Sequence, residues 1–409
     1  MVFAAVIAVT TLGAVDLQER VDQLGPGEVL ALDSTVYAGP VVIDTPLVTL
    51  QGQAGTVIDG GGQQTVVTIR APGVELRDLE IRNSGRSTMN VDAGVRVHQQ
   101  PDVKLLRLTL LDVAFGFDIS ESRNVEIISC DVTNRAAAVT ARGDAIRIFS
   151  SEDVTVSDTH WRNSRDAVAW YSRNIRFERN RGIQSRYSLH LMYSENVFIE
   201  NNYFEDNSVG IFIMYGKGVT VLHNEVQRSR GPAGIGIGLK ETAQVYVEGN
   251  AILSCATGLV IDNSPWGPDT LNWFHRNLLS FNGRGILLAN DRPGNQFIGN
   301  VIRSNTVSVE SEDRKTSASV WAKNYWDDYE GFDLDDDGLG DTPHRPKKFG
   351  DLLTGEHPST RFFVGSPVLG LVNLIERLVP ITDPLVLLED PQPLMEPKPL
   401  KFGLEDRDG

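Results

Sequence analysis

Cysteine is almost missing from this chain: its 409 residues hold two, Cys130 and Cys255, so at most one internal disulfide is available. Basic residues are outnumbered, 38 Lys and Arg against 54 Asp and Glu, a formal charge of -16. That balance argues against nucleic acid or an anionic membrane surface as partner, because phosphate recognition needs clustered cations. Cations are the more natural ligands. Methionine is scarce, with five residues, so any two that fall in register carry information. Long apolar runs are absent beyond the first 14 residues, which leaves no stretch suited to spanning a bilayer. With 41% hydrophobic residues, 8% aromatics and 38 glycines, the composition suits one long core rather than many small domains.

A repeat organises what is present. Ser188-Leu-His-Leu-Met-Tyr-Ser194 and Gly210-Ile-Phe-Ile-Met-Tyr-Gly216 are one short strand written twice, 22 residues apart. An asparagine column follows at Asn180, Asn202, Asn224, Asn250, Asn277, Asn300 and Asn324, and an aliphatic column runs five residues ahead of its early members at Ile175, Val197, Val219 and Val245. A period near 22 with β-branched strands predicts an all-β fold, a right-handed parallel β-helix whose coils bury their apolar faces only by stacking. In that register Cys130 falls in the asparagine column, while Cys255 lies five residues after Asn250. Five coils, about 24 Å, separate the two, so they cannot pair and are read as small buried residues.

Alternation within each strand separates inside from outside. Inward pairs run from Val95/Val97 through Leu189/Leu191, Ile211/Ile213 and Ile235/Ile237 to Ile286/Leu288, a continuous aliphatic core. The outward positions include Phe149, Trp170, His190, Met192, Phe212 and Met214, followed by Gly236 and Gly238. An outward apolar stripe of this length marks a contact surface, and the glycines leave room for a close approach. Two lengthened turns, residues 229–234 and 263–270, project from adjoining edges, and the second carries Trp266. Within the stripe, His190 and Met192 share a face and Met214 stacks on Met192 one coil later. Imidazole with thioethers suits Cu(I). The same residues suit an apolar docking face, Met being an adaptable contact residue. Tyr171, Tyr193 and Tyr215 form a stacking ladder at the strand ends.

Near the end of the repeat, Asp333, Asp335, Asp337 and Asp341 occupy positions 1, 3, 5 and 9 of a twelve-residue loop with Gly338 at position 6, the spacing of a calcium loop. His344 stands at position 12 in place of the usual bidentate Glu. The expectation is a structural Ca²⁺ tying the tail to the last coil; the alternative is a solvated acidic turn. Ser366 and Pro367 then open an amphipathic helix through Val368, Leu371, Val372, Ile375 and Leu378. It either caps the core or docks on a partner, and residues 391–399 read as an extended or flexible end. The division expected is an export segment at 1–14, the β-helix at 15–323, an acidic closing region at 324–365, and the helix with its Pro-rich tail at 366–409.

Several motifs in order, Asn324-Tyr-Trp-Asp-Asp-Tyr329, His190-Leu-Met-Tyr-Ser194, Gly236-Ile-Gly-Leu-Lys240, Asp262-Asn-Ser-Pro265, Arg361-Phe-Phe-Val-Gly-Ser-Pro367 and Leu387-Leu-Glu-Asp-Pro391, resemble the NosD family. The resemblance implies a periplasmic or other extracytoplasmic accessory protein that works with a NosFY-type ABC transporter, touching the membrane only through it. Its implied role is assembly of the copper-sulfide centre of nitrous oxide reductase, with copper supplied by a NosL-type chaperone. Arg186-Tyr-Ser188 stands where the family usually has Asp-Gly, Arg292-Pro-Gly294 replaces a Ser-rich turn, and His344 replaces an aromatic residue. The competing readings are a polysaccharide lyase or epimerase on the same fold and a passive surface β-helix. The chain contains neither Asp-Pro-His-Asp nor Asn-Thr-Asp with Gly-His-Gly, and its outward stripe lacks paired carboxylates for work on a sugar, so a non-enzymatic assembly factor is expected.

Overall fold

The computed structural model describes residues 15–313, 315–346 and 386–397, with single positions at 366, 368, 371 and 375. The expected export segment therefore lies outside the described residues, as does most of the expected tail helix. Val368, Leu371 and Ile375 are helical and exposed. Among the described residues no helix is long and apolar enough to cross a membrane.

Each coil contributes one short strand to each of three parallel sheets, of 14, 12 and 13 strands. The 12-stranded sheet contains Ala93–His98, Phe115–Ser120, Ile146–Phe149, Asp166–Trp170, Tyr187–Met192, Val209–Met214, Ile235–Lys240 and Thr257–Asp262 as consecutive members. Its inward residues stack coil on coil, Val95 on Phe117, Phe117 on Ile146 and Leu189 on Ile211, and all are fully buried. The fold is thus the parallel β-solenoid that the repeat predicts. A short helix, Leu17–Asp22, precedes the coils with Leu17 and Val21 buried. Its Gln18 amide donates to the Val42 carbonyl at 3.0 Å and accepts from the Val42 N–H at 2.8 Å, satisfying the first edge of the 12-stranded sheet.

The asparagine column has a physical reason. These side chains sit at the turn from the 13-stranded to the 14-stranded sheet, where the chain bends and its backbone groups lose ladder partners. Each amide donates to the next: Asn180 Nδ2 to Asn202 Oδ1 at 3.0 Å, Asn202 to Asn224 at 2.9 Å, and so on to Asn300 and Asn324 at 2.9 Å. The same Oδ1 atoms accept the backbone N–H of the preceding asparagine, at 2.9 Å for Asn180. Cys130 and Thr159 continue the column upstream: the Cys130 N–H donates to Thr159 Oγ1 and the Thr159 N–H to Asn180 Oδ1. Both cysteines are free and buried, and burial pushes the Cys130 thiol up to about 12.

The described end of the solenoid is closed by residues 386–397. Leu388 and Leu394 are buried, the Leu394 N–H donates to the Asn324 carbonyl at 2.9 Å, and isolated bridges join Leu394 to Tyr325 and Leu339 and Asp390 to His344. The Pro-rich stretch is therefore packed structure as far as Leu394, where an extended or flexible end was expected. Asp390 takes the place of a further asparagine, accepting Asn324 Nδ2 at 3.0 Å.

Candidate metal centre

The outward face of the 12-stranded sheet carries the predicted stripe. Pairing between Tyr187–Met192 and Val209–Met214 sets His190 opposite Phe212 and Met192 opposite Met214. His190 is buried, and its Nε2 points at Met214 Sδ across 3.3 Å. Its Nδ1 faces Asp166 Oδ2 at 3.4 Å. Tyr187 stacks on the imidazole with ring centroids 4.5 Å apart, and the Phe212 ring meets it edge-on at 6.5 Å. An imidazole nitrogen and thioether sulfurs on half-buried side chains form a donor set matched to a soft monovalent ion.

Asp166 was not singled out from the sequence, and Arg186 and Tyr187 figured there only as a departure from the family pattern, not as site residues. Arg186 grips Asp166 with two guanidinium nitrogens, Nε to Oδ1 at 2.9 Å and NH2 to Oδ2 at 2.5 Å, while its plane lies 4.8 Å from the Tyr187 ring. Burial raises the Asp166 carboxyl, but hydrogen bonds from His190 and Arg186 and the guanidinium charge outweigh it and hold the group below the ordinary carboxylate range. Asp166 occupies a corner column that other coils fill with Gly94, Gly116, Ala145, Gly210 and Gly258, residues small enough to let successive coils approach. A Cβ at Gly116 would stand 2.2 Å from the Ala145 carbonyl oxygen. At Asp166 the next coil responds with a register shift: Asp166 pairs with Tyr187 but Val168 pairs with His190. That extra residue is a bulge, and it sets Tyr187 opposite Asp166, where its ring stacks on His190. A charged residue in a glycine column was the signal that would have found it.

The remaining stripe residues are placed as follows. Trp170 meets Phe149 edge-on at 5.8 Å, and the Arg147 guanidinium covers Phe149 at 4.8 Å. Tyr171, Tyr193 and Tyr215 stack at 5.0 and 4.6 Å, each with a left-handed backbone at the strand end. The two glycines need correction. Phe212 is opposite Gly238 and Met214 opposite Lys240, so Ile237 and Leu239, not Ile235 and Ile237, align with Ile211 and Ile213. The lengthened turn at 229–234 hid that two-residue slip. Gly238 does not open the face to a visitor, because the Phe212 ring fills the space; a Cβ there would meet Phe212 Cε2 at 2.4 Å. Gly236 belongs to the corner column, where a Cβ would lie 2.6 Å from the Gly258 carbonyl oxygen. Trp266 is exposed on its loop beneath the Arg292 guanidinium at 4.8 Å, beyond the strand three coils on from His190, so it is not part of the His190 cluster.

The acidic loop is partly assembled. Carboxylate oxygens of Asp333, Asp335 and Asp341 lie within 4.8 Å of one another. Asp337 is not in that group; its Oδ1 accepts the Leu339 N–H at 2.8 Å. His344, at position 12, is buried beside Trp326 with ring centroids 4.9 Å apart and faces Asp328, so it closes the coil end instead of completing a cage.

Comparison with known proteins adds the following. Residues 123–331, half of the chain, match the family described as "Periplasmic copper-binding protein (NosD)". A Pseudomonas aeruginosa protein named "Probable ABC transporter binding protein NosD" is 29% identical, the match covering 89% of this chain and 88% of the relative. One of the same name from Stutzerimonas stutzeri is 26% identical, over 88% and 85%. Among solved structures, the A-module of an Azotobacter vinelandii mannuronan C-5 epimerase superposes with a TM-score of 0.57 at 15% identity, over 75% of this chain and 96% of that one. A PL6 alginate lyase in complex with a trisaccharide gives 0.53 at 14%, over 76% and 83%. At such identities the likeness concerns the fold alone.

Proposed function

Since the chain belongs to the NosD family, we propose that it works outside the cytoplasm as a copper-handling accessory protein beside an ABC transporter. Its cargo is Cu(I), held in passing by His190 and Met214 with Met192 alongside. The cargo comes from a NosL-type chaperone and goes toward the copper-sulfide centre of nitrous oxide reductase, with a NosFY-type transporter as the membrane partner. The observation that carries this reading is the His190 Nε2 aimed at Met214 Sδ across 3.3 Å, with Met192 the neighbour of Met214 in the sheet. Phe149, Trp170 and Phe212 border the donors with apolar surface, which favours a soft ion over a hydrated hard one and gives a partner protein something to bury.

Acid–base work on a sugar is the poorer fit. The carboxylates on this face are held by cations: Asp118 between Arg96 at 2.9 Å and Arg147 at 2.8 Å, Asp166 by Arg186, and Asp262 by Lys240 at 3.1 Å. None of them is a free general base. The reading is tested by anaerobic Cu(I) titration against a competing chelator, with the wild-type chain beside Met192→Ala/Met214→Ala. Near-stoichiometric binding that weakens by at least about tenfold in the variant is expected. Equal affinity in the two removes the methionines as ligands, and no binding in either leaves the stripe as a docking face only.

A further inference from the structure

We propose that Asp166 is the positioning residue of the copper site: it accepts the Nδ1 proton of His190 and so leaves the Nε2 lone pair facing Met214. This inference rests on the copper reading for its consequence but not for its geometry. An imidazole offers a metal only the nitrogen that carries no proton, and the hydrogen bond made by the other nitrogen decides which one that is. Here the two nitrogens face different chemistry, a carboxylate oxygen on one side and a thioether sulfur on the other. An ionised carboxylate accepts and never donates, so Nδ1 is the nitrogen that carries hydrogen.

Three further observations make this more than a chance contact. Asp166 stands in a column of small residues, Gly116 and Ala145 before it and Ser188 and Gly210 after it, where it is the charged member, and a register shift follows it. That bulge sets Tyr187 opposite Asp166, where its ring stacks on His190 and holds the plane of the imidazole. Arg186 closes on both carboxylate oxygens, a fixed two-point ion pair that leaves the acid facing Nδ1 as an acceptor. An ion pair serving only to join two coils would need the arginine and the aspartate but not the imidazole.

The test is Asp166→Asn, which keeps size and shape but can turn an amide N–H toward Nδ1. His190 would then carry its proton on Nε2 and present N–H, not a lone pair, to the metal. Long-range ¹H–¹⁵N correlation on the histidine-labelled apo chain, at about pH 8 where imidazole is ordinarily neutral, reads the tautomer directly. The His190 signal is assigned by its loss in His190→Gln. Expected are Nδ1–H in the wild type, Nε2–H in Asp166→Asn, and Cu(I) affinity lower by about 10- to 100-fold in the variant. Arg186→Gln, which leaves the carboxylate in place, is expected to keep the Nδ1–H tautomer. An Nε2–H tautomer in the wild type overturns the proposal whether or not the variant folds. If the tautomer switches as expected while Cu(I) affinity is indifferent both to it and to the methionine substitutions, the positioning of the ring stands and the copper reading fails.

Discussion

Replacing Asp390 by alanine should loosen the last coil of the solenoid while leaving the central coils intact. The Asp390 side chain is fully buried, and its two oxygens accept four close donors: the backbone N–H of Lys323 and of Asn324, each at 3.0 Å, Asn324 Nδ2 at 3.0 Å, and Trp326 Nε1 at 3.1 Å. A neutral asparagine in that place would present N–H to some of those donors; a carboxylate can only accept, which is what the final rung of an amide ladder needs. Alanine leaves the Asn324 backbone N–H and Trp326 Nε1 buried without this partner at about 1–3 kcal/mol each, while Asn324 Nδ2 keeps the Phe297 carbonyl at 2.8 Å. Members of one network do not add, so a total of roughly 3–5 kcal/mol is expected, the range for breaking a buried charged contact. Each coil of a solenoid leans only on its neighbours, so the loss stays local. Hydrogen exchange read by mass spectrometry should show residues 320–326 losing protection by about 10²- to 10³-fold, at roughly 1.4 kcal/mol per decade. Peptides covering Asn180 and Asn202 should exchange as in the wild type. Asp390→Asn should fall between the two. Wild-type protection of residues 320–326 in Asp390→Ala would refute the claim that this carboxylate closes the ladder.

The acidic loop and the buried thiol supply two more tests. If Asp333, Asp335 and Asp341 hold Ca²⁺, thermal melts should show a stabilisation on adding the ion, about 2.7 kcal/mol at a hundredfold excess over Kd; Asp335→Ala should abolish it and Asp337→Ala, whose side chain is turned to Leu339, should not. Equal melting temperatures with Ca²⁺ and with chelator in the wild type would dismiss the site. Cys130, its thiol pushed up to about 12 by burial, should resist iodoacetamide at about pH 8.5, where an ordinary thiol is half ionised. Its alkylation should follow unfolding, and fast modification of the native chain would contradict the burial.

The fold class, the inward and outward parity of the strands and the pairing of Met192 with Met214 were all legible in the sequence. Each depends on a repeat of constant length, and stacking in a solenoid is a nearest-neighbour affair that such a repeat encodes directly. Where the count is interrupted, legibility stops. The insertion at 229–234 conceals the two-residue slip at Ile235–Lys240, because the register there is decided by hydrogen bonds to Val209–Met214 and not by spacing.

Two features were decided only in three dimensions. Asp166 reaches His190 diagonally from the preceding coil beside a register shift, a contact that strand alternation does not state. Asp390 closes the ladder from 66 residues beyond Asn324, a separation at which no period connects the two. The amino-acid sequence by itself determined the coil, its core and the sulfur-bearing face, since those follow from local pattern and adjacent stacking. Which nitrogen of His190 faces the sulfur, and what ends the asparagine column, depend on contacts that exist only once distant or irregular backbone has been brought together.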